Sequence, residues 1–121
     1  MQYSNISIDQ GSDVDVDCGD HFIDCIFDAI GFGGSANNVT FERCIFVDCD
    51  FFASFGSANS YIDCHFSRGA VYDDEADTTS VTVSGCRFEE VNLSGVTFDF
   101  DLTSCMFADC DLTGCDFSEC P

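Results

Sequence analysis

The chain has 121 residues and a formal net charge of −20, from 23 Asp and Glu residues against three Arg and no Lys. Disorder is excluded because 45% of the residues are hydrophobic and 14 are Phe, enough apolar surface for a folded core. So acidic a surface is repelled by DNA and by anionic membranes, and no apolar run approaches the roughly 18 residues that span a bilayer. We therefore expect one domain, residues 1–121, that binds neither nucleic acid nor membrane directly.

The first part of the chain, residues 1–20, is expected to form an irregular first coil. Ile6 and Ile8 lie 19 residues before Cys25 and Phe27, and they look like an early copy of the same unit. Cys18 fits no repeating position.

From Cys25 onward, Cys and Phe recur with one residue between them. The five copies are Cys25/Phe27, Cys44/Phe46, Cys64/Phe66, Cys86/Phe88 and Cys105/Phe107. Successive copies are 19, 20, 22 and 19 residues apart. An apolar side chain at every second position is typical of extended strands, and the i, i+3, i+4, i+7 pattern of an amphipathic helix is absent.

Further columns of inward residues surround this unit. One lies five residues later in each turn, and another precedes the unit with Phe22, Phe41, Tyr61, Val83 and Leu102. A period of about five is therefore nested in a period of about twenty, which predicts four short faces per coil. Residues 73–79 interrupt the pattern and are predicted to form an acidic loop.

The C-terminal part carries the clearest pattern, with CRFEEVNLSGVTF at residues 86–98 and CMFADCDLTGCDFSEC at residues 105–120. Asn92, Asp101, Asp111 and Asp116 precede the inward Leu or Phe. The chain thus resembles the pentapeptide-repeat family, which implies an all-β, right-handed quadrilateral β-helix of about five to six coils. A wider, three-sheet β-helix of the pectate-lyase type is the alternative fold.

Catalysis is not expected. His21 and His65 each precede an inward Phe and should point outward, and there is no Lys to act as a base or electrophile. The ten cysteines lack a Cys-x-x-Cys spacing and are expected to be buried, reduced thiols, with a disulfide scaffold as the alternative. We predict no enzyme, no metal and no cofactor.

Acidic side chains occupy many outward positions and are predicted to form the partner-binding surface. The predicted residues are Asp48, Asp50, Asp73, Asp74, Glu75, Asp77, Glu89, Glu90, Asp99, Asp101, Asp109, Asp111 and Asp116. If six coils stack at about 4.8 Å, the net charge averages about one per 1.4 Å of the rod, close to the value of roughly 1.7 Å for duplex DNA.

This charge density predicts a DNA mimic that binds the cationic surface of a bacterial DNA-handling complex. The sequence-based hypothesis is an anti-CRISPR that blocks target-DNA recognition by a CRISPR–Cas surveillance complex in the bacterial cytoplasm. Some pentapeptide-repeat proteins are DNA mimics that act on DNA gyrase, so the resemblance implies a gyrase-binding protein of the quinolone-protection type as the alternative. A structural repeat made acidic for halophilic solubility is a third hypothesis, and the exposed solenoid ends suggest a homodimer.

Overall fold

A computed structural model describes residues 2–9, 18–32, 37–56, 58–72, 81–98, 102 and 104–117, except for the side chains of 53 and 54. The described residues contain thirteen β-strands and no helix. They therefore include no helix that could cross a membrane. The strands are β1 Gln2–Ser4, β2 Ser7–Ile8, β3 His21–Ile23, β4 Ile26–Asp28, β5 Gly31–Phe32, β6 Thr40–Glu42, β7 Ile45–Val47, β8 Asp50–Phe55, β9 Ser60–Ile62, β10 His65–Val71, β11 Thr82–Ser84, β12 Arg87–Asn92 and β13 Met106–Ala108.

The first face of the solenoid is a parallel sheet in the order β1-β3-β6-β9-β11. Its strands pair in register, so that Phe22 lies opposite Phe41 and Phe41 opposite Tyr61. The second face stacks β2, β4, β7, the start of β10, β12 and β13 in the same way. The third face contains β5, the start of β8 and the ends of β10 and β12. An isolated bridge between Thr97 and Asp116 belongs to the fourth face.

Corners between faces adopt the left-handed backbone region. At the first corner Asn5, Asp24, Arg43 and Asp63 have φ of 51–57°, and their N–H groups donate to carbonyls of the next coil. The second corner repeats this geometry at Ala29, Asp48, Arg68, Glu90 and Asp109. Asp and Asn tolerate positive φ better than other non-glycine residues, which favours them at these positions. The corners thereby place short acidic side chains on the outer edges of the solenoid.

Stacked aromatic rings fill the interior. The rings of Phe46, Phe66 and Phe88 lie parallel, with centroid separations of 4.7 and 4.5 Å. Each fully buried Phe contributes about 1.5–3 kcal/mol by leaving water, and close ring packing adds about 0.5–1.5 kcal/mol. The predicted Phe column is confirmed, and each coil depends on its neighbours to bury its rings.

A ladder of thiols runs beside the rings. Cys44, Cys64 and Cys86 are buried, and each thiol donates to a carbonyl of the preceding coil at 3.3–3.4 Å. The nine cysteines in the described part of the chain are all free thiols. Burial raises the pKa of the Cys49 thiol to about 11, which keeps it protonated at neutral pH. Coils stacked about 4.8 Å apart also hold neighbouring Cβ atoms farther apart than the roughly 3.8 Å typical of a disulfide.

One part of the interior is polar. Asn59 is buried, and its Oδ1 accepts from the Val39 N–H at 2.8 Å while its Nδ2 donates to the Phe55 carbonyl at 3.0 Å. The Tyr61 hydroxyl donates to the same carbonyl at 3.1 Å. Phe55 itself is fully buried, at a place where the sequence pattern gave no inward residue. These bonds satisfy backbone groups where the fourth face is irregular, so a single Asn replaces the Val found above and below it.

The predicted acidic loop at residues 73–79 lies outside the described residues. Within the first 20 residues, β1 and β2 pair with β3 and β4, and Ile8 stacks on Phe27. Residues 10–17 lie outside the described part of the chain.

Candidate protein-binding surface

The outer surface of the third face carries a grid of side chains set by strand register. Along the second corner the stacked residues are Ala29, Asp48, Arg68, Glu90 and Asp109. Beside them, Gly31, Asp50, Ala70, Asn92 and Asp111 form the next column. We call the five acids of these two columns the acidic face: Asp48, Asp50, Glu90, Asp109 and Asp111.

The corner column of the acidic face is largely unneutralised. Glu90 and Asp109 are exposed and make no ion pair with any described residue. Arg68 interrupts the column and reaches the Asp48 carboxylate at 3.6 Å, but both side chains are more than half exposed. A pair this exposed contributes at most about 1 kcal/mol and is screened by salt. The corner therefore presents net negative charge to solvent.

The neighbouring column holds Asn92 and Asp111 in defined orientations. Asn92 and Asp111 each accept a hydrogen bond from the backbone N–H two residues later, at 3.0 Å. The hydroxyl and backbone N–H of Thr113 lower the pKa of Asp111, so this carboxylate is ionised at neutral pH. Asp50 is half-buried and has no ion pair among the described residues. Asn92 and Asp111 are thus fixed hydrogen-bond acceptors in this column.

The other two arginines lie at the first corner and on the second face and are already paired. Arg43 binds the Asp24 carboxylate at 2.9 Å, which lowers the pKa of Asp24, and it reaches Glu42 at 3.1 Å. Arg87 binds Glu89 at 2.5 Å. All three arginines of the chain therefore pair with acids, and the acidic face opposes only Arg68.

The two histidines make a matching arrangement. His21 Nε2 lies 3.4 Å from Glu42, and His65 Nε2 lies 3.3 Å from Glu89, in each case across one coil boundary. Their rings are on the outer surface, as predicted, but the Nε2 atoms are covered rather than solvated. Glu89, a predicted partner-binding residue, is paired with Arg87, lies beside the His65 ring and belongs to the second face.

The remaining predicted acids have other positions. Asp116 lies on the fourth face, bridged to Thr97. Six others lie outside the described residues: Asp73, Asp74, Glu75, Asp77, Asp99 and Asp101. Phe52 and Tyr72 are exposed beside the acidic face and were not among the residues predicted to bind a partner. The sequence alternation could have identified them, since each follows an inward residue and so occupies an outward position.

No catalytic constellation was found among the described side chains. No group of three His, Cys, Asp or Glu residues in this part of the chain is placed to hold a metal ion. The exposed carboxylates of the acidic face make this surface suited to bind a cationic partner.

Comparisons with known proteins identify the repeat. A family model of pentapeptide repeats matches residues 79–120 with eight copies. No curated protein matches the chain. Among solved structures, full-length QnrB1, a plasmid-mediated fluoroquinolone resistance protein, has a TM-score of 0.47 and 13% identity, covering 99% of this chain and 83% of that one. A trypsin-treated form of QnrB1 has a TM-score of 0.41 and 14% identity, covering 99% and 72%.

The matched repeats coincide with the part of the solenoid where the five-residue pattern is most regular. In that part the inward Leu93, Val96 and Phe98 are completely buried and Gly95 turns the chain between faces. The resemblance found in the sequence is confirmed, and the alternative three-sheet β-helix is not. Residues 79–120 match the pentapeptide-repeat family, and the described residues form a four-sided β-solenoid.

Proposed function

We propose that this protein is a non-catalytic DNA mimic whose acidic face occupies the DNA-binding surface of DNA gyrase. The observation that carries the proposal is a set of unneutralised carboxylates on a rigid corner and face of the solenoid. Glu90 stacks on Asp109 at the corner, and Asp50 and Asp111 lie in the neighbouring column. These carboxylates would contact the Lys and Arg residues with which the enzyme grips phosphates.

Rigidity supports the proposal as much as charge does. Hydrogen-bonded strands and left-handed corners fix the Cα positions of the acids, so little conformational entropy is lost when a partner binds. The formal charge of −20 also accelerates encounter with a cationic groove at low salt. A flexible acidic tail would provide the charge without the fixed spacing.

Gyrase is the proposed target because the pentapeptide-repeat family includes DNA mimics that act on this enzyme. The anti-CRISPR hypothesis has no support from the comparisons. Cytoplasmic location in a bacterium follows from the proposed target and stays a prediction, as does the absence of catalysis and cofactors. Homodimerisation also stays a prediction; Leu112 and Phe117, in the last described coil, are 38% and 42% exposed.

The direct test is a gyrase supercoiling assay with relaxed plasmid and increasing amounts of this protein. We expect the protein to inhibit supercoiling, or to protect gyrase from a fluoroquinolone, at amounts comparable to the enzyme. The effect should weaken between about 0.1 M and 0.3 M salt, because exposed charge contacts are screened.

A protein made acidic only for solubility would neither inhibit nor protect gyrase, and its stability would increase with salt as self-repulsion is screened. Absence of both gyrase effects at equimolar protein would therefore overturn the proposed function.

A further inference from the structure

Two large aromatic side chains are exposed at the border of the acidic face. Phe52 is 53% exposed and Tyr72 is 46% exposed. Their rings stack on each other outside the solenoid, with centroids 5.6 Å apart and planes 6° from parallel. Each is an outward residue two positions after a member of the acidic-face columns, Asp50 and Ala70 respectively.

The backbone holds this pair in place. Phe51 and Val71 are paired in register, and the Tyr72 N–H donates to the Phe51 carbonyl at 2.8 Å. Phe52 lies against the bare backbone of Gly31, where an added Cβ would come within 2.9 Å of the ring. The rings are therefore ordered before any partner binds, although they lie outside the core that the other Phe residues fill.

The chemistry around the pair is specific. Residues two apart on a strand lie about 6.6 Å apart on the same side, so Asp50 and Phe52 are neighbours on the outer side of β8. A guanidinium can stack flat on an aromatic ring while it donates hydrogen bonds to a neighbouring carboxylate. An ammonium group is compact and more strongly hydrated, and it cannot make both contacts as well.

We propose that Phe52, Tyr72 and Asp50 form a binding site for an arginine side chain of the protein partner. This inference rests on the proposed function, and it identifies one specific contact between this protein and its partner. Charge complementarity selects the occupant, because Asp50 has no ion pair among the described residues and the partner's DNA-binding surface is cationic. Exposed aromatic residues are also typical of the few positions that dominate binding at protein interfaces.

The test uses fluorescently labelled oligo-arginine and oligo-lysine peptides of equal length, titrated with the full chain at about 0.1 M salt. We expect the wild-type protein to bind the arginine peptide about three- to tenfold more tightly than the lysine peptide. The double variant Phe52→Leu/Tyr72→Leu keeps apolar side chains beside Gly31 but removes the rings. It should lose the arginine preference while its affinity for the lysine peptide stays unchanged.

Asp50→Asn serves as the charge control and should weaken binding of both peptides.

An arginine preference that persists without the rings, or is absent from the wild type, overturns the site. So does a wild-type dimer that becomes a monomer in the double variant, since the rings would then bind a second copy. The urea midpoint of the double variant is measured alongside, and a second pair, Phe52→Met/Tyr72→Met, replaces it if that midpoint falls. The peptide titration does not involve gyrase. A negative supercoiling assay would therefore overturn the proposed target without deciding whether the arginine site exists.

Discussion

Neutralising four carboxylates of the acidic face should weaken gyrase inhibition at least about a hundredfold at 0.1 M salt. The substitutions are Asp50→Asn, Glu90→Gln, Asp109→Asn and Asp111→Asn. Each removes one charge contact worth on the order of 1 kcal/mol at a protein interface, and tenfold in affinity corresponds to about 1.4 kcal/mol. The concentration for half-maximal inhibition of supercoiling measures the effect, compared with the wild type at the same salt.

The four substitutions are chosen to leave the fold intact. Asn tolerates the φ of 55° at Asp109, and Asn92 already makes the same turn as Asp111 one coil earlier. Removing stacked negative charges also relieves repulsion, so the urea midpoint should stay constant or rise. Loss of inhibition together with an unchanged midpoint would assign the effect to the surface.

A matched pair of variants separates position from total charge. Glu90→Gln/Asp109→Asn removes two charges at the second corner, and Asp24→Asn/Asp63→Asn removes two charges at equivalent positions of the first corner. We expect the second-corner pair to weaken inhibition about tenfold or more and the first-corner pair to weaken it less than about threefold. Equal losses would mean that only net charge matters and would contradict the assignment of the acidic face.

Gly69→Ala should be among the most destabilising single substitutions in the chain, by about 3 kcal/mol. A Cβ at this position would lie 2.1 Å from the Cys49 carbonyl oxygen and 3.0 Å from its nitrogen. That oxygen accepts the N–H of Ala70 at 3.1 Å, so the clash forces apart two coils of the third face. Overpacking against backbone costs more free energy than the roughly 0.4–1 kcal/mol that Ala gains over Gly by restricting the unfolded chain. Urea unfolding followed by near-ultraviolet circular dichroism gives the change in unfolding free energy.

Gly31→Ala is the control for Gly69→Ala. Its added Cβ would meet only the Phe52 ring at 2.9 Å, and this exposed side chain can rotate away. We expect a loss of less than about 1 kcal/mol. If both variants lost the same free energy, the close approach of the coils at Gly69 would not be the cause.

The Phe and Cys columns could be predicted from the sequence because alternation and coil length are local properties. Cys25/Phe27 and Cys44/Phe46 are 19 residues apart and have the same internal spacing. Parallel pairing of their strands therefore stacks Phe27 on Phe46. The corner position shared by Asp48, Glu90 and Asp109 could be predicted for the same reason.

Other features depend on how irregular coils adjust to one another. Phe55 and the Asn59 bonds occur where the fourth face departs from the five-residue pattern, so no period marks them. The Arg87–Glu89 and Arg43–Asp24 ion pairs need side-chain directions that only the three-dimensional structure provides. The Phe52–Tyr72 stack was missed because outward aromatic residues break the expected polar alternation.

The most direct measurement is carboxyl footprinting of the protein alone and in complex with gyrase. Carbodiimide-coupled labelling of exposed carboxylates, read by mass spectrometry, reports which acids the partner covers. We expect Asp50, Glu90, Asp109 and Asp111 to be protected at least about threefold in the complex, while Asp24 and Asp63 label as in the free protein. Protection at Asp24 and Asp63 with unchanged labelling of Glu90 and Asp109 would contradict the account.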